Sequence, residues 1–513
     1  MKKAINMLLV VLALIFSLAG KADADTYHSG YIDSDETWTL AGSPHIIQSV
    51  TRVRGATLTI EPGVEVRFNK DAVTPSLMIT SSGARLIAQG TDTQKIIFTS
   101  NEASPQPGDW EDIRFTNDDA SDDSIIENAI IEYGGGGISG GSIKILYSNP
   151  TIRNCIIRRS SSAGIYMYDS TSEVSGCRFE ENDGYGIQIN ISSPILDANE
   201  FINNGSYPVY ITNSSDLEPV IYGTNTFSGN NPDQIYFSVG FIDHNHTLRY
   251  VGIPYYFPSV SRVRYGATLT IEPGVEVRFN KDAVTPSLMI TSGGARLIAQ
   301  GTDTQKIIFT SNEASPQPGD WKDIRFLDDL NDSIIENAII EYGGSSHGSI
   351  HIYTANPTIK NCIIRRSSTA GIYMDHSTSE ISCCDITENE FGIDIASSFT
   401  TPDITENNIF GNSSFGIYND SPSNIINAEN NWWGDASGPG DVGPGNGDAV
   451  SDGVDYDPWL DAPSLCSLSI FADFSAAPKT GADDLFTQFT DRSTSPEGLT
   501  AWEWDLNGDG LVD

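Results

Sequence analysis

ATLTIEPGVEVRFN at residues 56–69, LIAQGTDTQKIIFTS at 86–100 and PGDWEDIRF at 107–115 decide how this chain folds. The same text returns at 267–326 with two changes, Ser82 to Gly293 and Glu111 to Lys322. Near-identity at an offset of 211 residues is a tandem duplication, and internal repetition points to a solenoid or an array. Each copy is built of short β-branched runs (TLTI, VEVRF, KIIFT, DIRF) separated by Gly, Pro, Asn and Asp. No segment of helical length carries a 3.6-residue apolar period, so the chain reads as short strands turned at corners.

The duplication includes a lead-in, ETWTLAGSP from residue 36 and a looser echo, HTLRYVGIPYYFPSV, from residue 246. A shorter period runs inside each copy. Gly164-Ile165-Tyr166-Met167 is followed at steps of 22 by Gly186-Ile187-Gln188-Ile189 and Pro208-Val209-Tyr210-Ile211. In the second copy GIYM at Gly371, GIDI at Gly392 and GIYN at Gly416 recur at steps of 21 and 24. If one step is one turn of a coil of parallel strands, inward and outward residues alternate along each strand. Ile165, Ile187 and Val209 then form one internal column, and Met167, Ile189 and Ile211 the next. Asn154, Asn199, Asn203, Asn361 and Asn407 precede strands, where amides pair along a stack. Residues 36–430 would make roughly 17 turns, a rod on the order of 80 Å long.

GATLTIEPGVEVRF, LIAQGT…KIIFTS, PGDWEDIRF and the GI repeats resemble secreted right-handed parallel β-helix proteins. The likeness is to the pectate-lyase-like superfamily and to the NosD-type periplasmic copper-binding family. It implies an all-β, right-handed parallel β-helix of two tandem modules, at 25–243 and 244–430. It implies no single activity, because this fold hosts lyases, hydrolases, epimerases, adhesins and accessory proteins. The segment 431–463, with its NNWWG…GP…DYDPW pattern, resembles the terminal cap of such proteins. A Trp-bearing lid over the last turn is expected, since an open solenoid end is an unpaired edge; sugar stacking on Trp432 and Trp433 is the alternative. Residues 464–513, with FSAAP, QFTD and WEWD, resemble the first half of a PKD domain, an immunoglobulin-like β-sandwich.

Lys2 and Lys3, an apolar run from Met7 to Leu18 and Ala22-Asp23-Ala24 read as a secretory signal peptide over 1–24. The apolar run is short for a membrane anchor, and no later stretch reaches transmembrane length. The expected location is extracellular or at the cell surface, with the periplasm as a variant. Sixty-eight Asp and Glu against 29 Lys and Arg leave a formal charge of −39, which disfavours nucleic acid as a partner. Cys155 and Cys177, like Cys362 and Cys384, lie 22 residues apart. Stacked on neighbouring turns, each pair forms either a buried column of free thiols, the favoured reading, or a disulfide. No His stands at ligand spacing beside them.

Candidate chemistry is sparse. Asp505, Asn507, Asp509 and Asp513 surround Gly510 in the manner of the opening of a Ca2+ loop. No catalytic constellation of paired carboxylates with Arg, Lys or His is recognisable, and Arg158-Arg159 and Arg365-Arg366 read as solvated corners. Glu180, Glu181, Asp183, Asp385, Glu388 and Glu390 read as acidic turns. The outward positions of the GI strands carry Tyr166 and Tyr210 in the first copy, and Tyr373, Asp394 and Tyr418 in the second. Tyr beside carboxylate suits sugar rings, which stack on aromatics and donate hydroxyl hydrogens to acids. Tyr is also common on exposed strands for reasons of packing alone. The function that follows is a non-catalytic exported scaffold for adhesion or polysaccharide binding. A polysaccharide lyase or related carbohydrate-active enzyme is the alternative.

Overall fold

A computed structural model describes residues 25–70, 75–81, 83–116, 123–137, 140–212, 218–281, 287–291, 293–327, 332–467, 474–477 and 488–491. The chain divides into two compact units, up to Ile235 and from Tyr236 onward. Among the described residues the only helical pieces are two three-residue 3-10 turns. Everything else that is regular is strand.

In the first unit one turn comprises Thr151–Arg153, Ile156–Arg158 and Ala163–Tyr168. The next comprises Glu173–Ser175, Arg178–Glu180 and Ile187–Asn190, and the one after it Ile195–Asp197, Glu200–Ile202 and Val209–Thr212. Each strand pairs in parallel with its counterpart one turn on. The expected columns are in place: Ile165↔Ile187↔Val209 and Met167↔Ile189↔Ile211, all at most 2% exposed. The second unit repeats the plan through Thr358–Lys360, Ile363–Arg365 and Ala370–Asp375, then Glu380–Ser382, Asp385–Thr387 and Phe391–Ile395, then Asp403–Thr405, Asn408–Phe410 and Phe415–Asn419. A turn of this kind cannot cover its own apolar side, so the neighbouring turns supply the burial that holds it.

Buried polar columns run through both units, and they adjust the expected asparagine stack. Asn199 and Asn407 belong to it: Asn199 Nδ2 donates to Val174 O and Asn225 Oδ1, and Asn407 Nδ2 to Ile381 O and Asn431 Oδ1. Asn154 and Asn203 do not, because each sits one residue early, at a corner with φ of 52–54°; Asn361 sits at the same kind of corner, and there its Nδ2 donates to Asn337 Oδ1 one turn back, in a separate amide pair. Asn tolerates that left-handed backbone better than most residues. The partner of the ladder next to Asn203 is Asn204, in the run Asn182–Asn204–Asn230. Cys155 and Cys177 occupy the same column as Asn199, since Cys177 N donates to Asn199 Oδ1 at 2.9 Å. Cys362 and Cys384 stand above Asn407 in the same way. All four thiols are free and buried, as the favoured reading of their spacing had it.

Two polar residues are more deeply placed than expected. Arg365 is no solvated corner: its side chain is 1% exposed and pairs with Glu341 at 2.9 Å. The duplicate, Arg158, keeps 29% exposure in its pair with Glu132. Asp385 is buried rather than part of an acidic turn, and accepts from Asn408 Nδ2 at 2.8 Å. Strong pairing is what makes such burial tolerable. A further bond joins Cys383 to Cys466 as a disulfide, tying the segment after the cap to the coil.

At the end of the second unit Trp433 is fully buried, and a Cβ on Gly416 would lie 3.2 Å from its ring. Ile417 pairs with Val450 of the segment that follows, so the last turn is covered by a lid. Phe474–Ala477 and Gln488–Asp491 pair antiparallel. The rest of the expected sandwich half, the signal segment 1–24 and the Ca2+ positions Asp505, Asn507, Asp509 and Asp513 lie outside the described residues.

Candidate functional site

The longest strand of each turn in the second unit carries the outward residues of interest. Strands Gly348–Tyr353, Ala370–Asp375, Phe391–Ile395 and Phe415–Asn419 lie parallel and in register. Ile350, Ile372, Ile393 and Ile417 point inward and are fully buried. Alternation then forces the next residue of each strand outward, giving the column His351↔Tyr373↔Asp394↔Tyr418. Arg325 precedes it on the strand before. The three expected residues Tyr373, Asp394 and Tyr418 are therefore successive rungs, about 4.8 Å apart.

Aromatic rings collect around these rungs. The Tyr418 ring centroid lies 5.2 Å from Phe415 and 5.7 Å from Phe391, and Phe391 and Phe415 run parallel at 6.3 Å. Tyr373 meets His347 at 4.8 Å and His351 at 5.0 Å. At the adjoining corner His376 stacks on the exposed Phe399 at 5.1 Å and its Nδ1 lies 2.6 Å from Asp375 Oδ1.

Charge is divided along the column. At one end the buried carboxylate of Asp323 pairs with Arg325 and lies 3.6 Å from His351 Nδ1. At the other, Asp394 has its pKa raised to about 6, chiefly by burial and then by the negative charge of Asp420 and Glu390. Burial, with Asp375, Asp394 and Asp420 nearby, pushes the Tyr373 phenol up as well. A carboxyl with a pKa near 6 can donate a hydrogen bond below that pH and only accepts once it ionises above it.

The first unit carries the duplicate column Arg114↔Lys144↔Tyr166↔Gln188↔Tyr210. Tyr166 and Tyr210 are thus brought together, two rungs apart with Gln188 between them. Lys144 lies over the Tyr166 ring at 5.6 Å, and Tyr210 stacks on Tyr185 at 4.3 Å. Burial, and then Arg114, lower the Lys144 pKa. Between the copies the outward column differs at two rungs, Lys144 against His351 and Gln188 against Asp394. The sequence reading left out Phe391, Phe415, His347, His351, His376 and Phe399. For the first two a signal existed, the Phe that stands before GI in FGIDI and FGIYN. The others occupy corners or strands outside that repeat.

These turns, columns and lids define a parallel β-solenoid protein whose outward faces are free to carry chemistry. The family model described as "Right handed beta helix region" matches residues 113–247 and 298–453, more than half of the chain, and the protein belongs to that family. The model "Pectate-lyase like beta helix domain" matches residues 29–160 and 240–348. No curated protein matches. Among solved structures, "Crystal structure of Agl-KA catalytic domain" aligns over 78% of this chain and 62% of that one, at 12% identity and a TM-score of 0.20. This chain therefore spans less than two thirds of that structure. Among the described residues no helix is long and apolar enough to cross a membrane.

Proposed function

We propose that this is an exported, non-catalytic β-helix protein that binds polysaccharide at the outward ladder of its second unit. The in-register run Tyr373–Asp394–Tyr418, with Phe391 and Phe415 against its last ring, carries the reading. Ring faces offer the apolar surface that sugar C–H groups cover, and the carboxyl between them engages hydroxyls. The pectate-lyase-like match supports a polysaccharide as the ligand class. Tyr166–Gln188–Tyr210 in the first unit is a second, weaker shelf of the same kind.

Affinity electrophoresis through gels containing neutral or acidic polysaccharides tests the assignment. Each aromatic stack contributes on the order of 1 kcal/mol. Tyr373→Ala with Tyr418→Ala should therefore weaken retention by about 10- to 30-fold, with the melting curve unchanged. Retention that survives the double change removes this face, and retention by no polysaccharide removes the reading. One observation favours a second reading, a carbohydrate-active enzyme: a carboxyl near 6 beside another acid suits a general acid. Release of new chain ends from an acidic polysaccharide, abolished by Asp394→Asn, would establish it.

A further inference from the structure

Cys383, Glu406 and Asn430 sit at equivalent corners of successive turns, each on left-handed backbone with φ of 57–60°. The corner column is fixed from both sides, because Glu406 N donates to Asn430 O and the flanking strands are paired in register. It places the Glu406 carboxylate one turn from the buried Cys383. Cys466 reaches the same spot from the segment beyond the cap. That segment is seated by Ser464, whose N donates to Asn408 Oδ1 at 2.7 Å. Glu406 Oε2 then lies 3.7 Å from the sulfur of Cys383 and 3.7 Å from that of Cys466. The three ligand atoms lie within 4.8 Å of one another, and this is the one such cluster of His, Cys, Asp and Glu among the described residues.

We propose that Cys383, Cys466 and Glu406 form a Zn2+ site that opens when their disulfide is reduced. Tetrahedral zinc with bonds of about 2.3 Å to sulfur and 2.0–2.2 Å to oxygen needs S···O edges of about 3.6 Å and an S···S edge of about 3.8 Å. Both S···O edges already have that length. Only the S···S edge must open, and Cys466 is exposed. The chemistry balances. An external dithiol gives two electrons and two protons to the Cys383–Cys466 bond and becomes a disulfide itself, leaving two thiols. Zinc then displaces one proton from each thiol and takes the Glu406 carboxylate as its third protein ligand, with water at the fourth position. Thiolate donors favour zinc over the hard cations Ca2+ and Mg2+. The site is independent of the saccharide reading, since its corner column is not the outward ladder.

The test is competition for Zn2+ between the whole protein and a chromophoric chelator, before and after treatment with a non-chelating reductant. The buried pairs Cys155–Cys177 and Cys362–Cys384 are the internal rivals for metal, so variants decide where it goes. The reduced protein should take up one Zn2+ per chain and the oxidised protein none. Cys466→Ser, a change on an exposed segment, should abolish uptake. Glu406→Gln should weaken it by at least the roughly 10- to 100-fold that losing even an outer-sphere contact costs. Uptake that persists in Cys466→Ser, that is equal before and after reduction, that is unmoved by Glu406→Gln or that is absent from the reduced protein would each overturn the assignment. Cd2+ in place of Zn2+ gives a second readout, a sulfur-to-metal charge-transfer band that should vanish in Cys466→Ser. A band retained in that variant would likewise overturn it.

Discussion

Replacing Asp394 with Asn isolates the one strongly displaced carboxyl of the outward ladder. Its pKa stands at about 6 in the folded protein against 3.8 for a free side chain, because burial and the charges of Asp420 and Glu390 disfavour the ionised form. Between those two values the folded state holds a proton that the unfolded state has released. Stability therefore falls as pH rises through this window and is constant on either side of it. At full weight the displacement corresponds to roughly 3 kcal/mol above pH 6. Asp394 is only half-buried, and solvent screening reduces the effect to about 1–2 kcal/mol. Asn keeps the shape and hydrogen-bonding capacity of the neutral acid but cannot ionise. Urea midpoints of wild type and Asp394→Asn, followed from about pH 3.5 to 8 at fixed ionic strength, should coincide in acid and separate as pH rises, the variant being the more stable. Parallel curves across the whole range would refute the argument that burial and Asp420 hold this carboxyl neutral.

Three further outcomes follow from the polar interior. Asn199→Ala removes the acceptor of Cys177 N and the donor to Val174 O; at about 1–3 kcal/mol for each orphaned buried group, urea denaturation should show a loss of about 3 kcal/mol. Arg365→Ala removes the cation paired with the buried Glu341 and should cost about 3–5 kcal/mol, whereas Arg158→Ala, at the more exposed duplicate, should cost nearer 1 kcal/mol; hydrogen exchange on the neighbouring strands reports both. Cys155, Cys177, Cys362 and Cys384 should resist thiol reagents until the protein is unfolded, because burial pushes the Cys177 and Cys384 thiols up and shields all four; a stoichiometric count with and without denaturant checks this.

The internal columns were legible because a step of 22 residues and the alternation of Ile with polar residues both point to the same inward positions. Corners were harder. A side chain on left-handed backbone and a side chain in the buried ladder are neighbours in sequence, and both favour Asn, so Asn154 and Asn203 read like Asn199. Depth was harder still: Arg158 and Arg365 sit in the same local text, IIRRS, yet one keeps far more solvent than the other. The Cys383–Cys466 bond had no periodic signature at all, since the two lie 83 positions apart with the whole lid between them. On the ladder itself the register of Tyr373, Asp394 and Tyr418 could be counted from the GI spacing. The displaced carboxyl of Asp394 could not, because it depends on burial and on the side chains across the rungs.

The two outward columns, alike at Arg, Tyr and Tyr but differing at Lys144 against His351 and Gln188 against Asp394, have an evolutionary consequence. Inward residues at the same heights remain interchangeable hydrophobes in both copies, Ile143 with Ile350 and Ile187 with Ile393, because neighbouring turns hold them to shape. An outward rung meets its neighbours through ring and charge contacts rather than through a packed core. Once the gene segment had doubled, one copy could keep whatever the ancestral face recognised while the other tried new charges at a smaller cost to folding than an inward change carries. A protein made this way carries its own spare part, and new specificity arises by editing single rungs rather than by rebuilding a site.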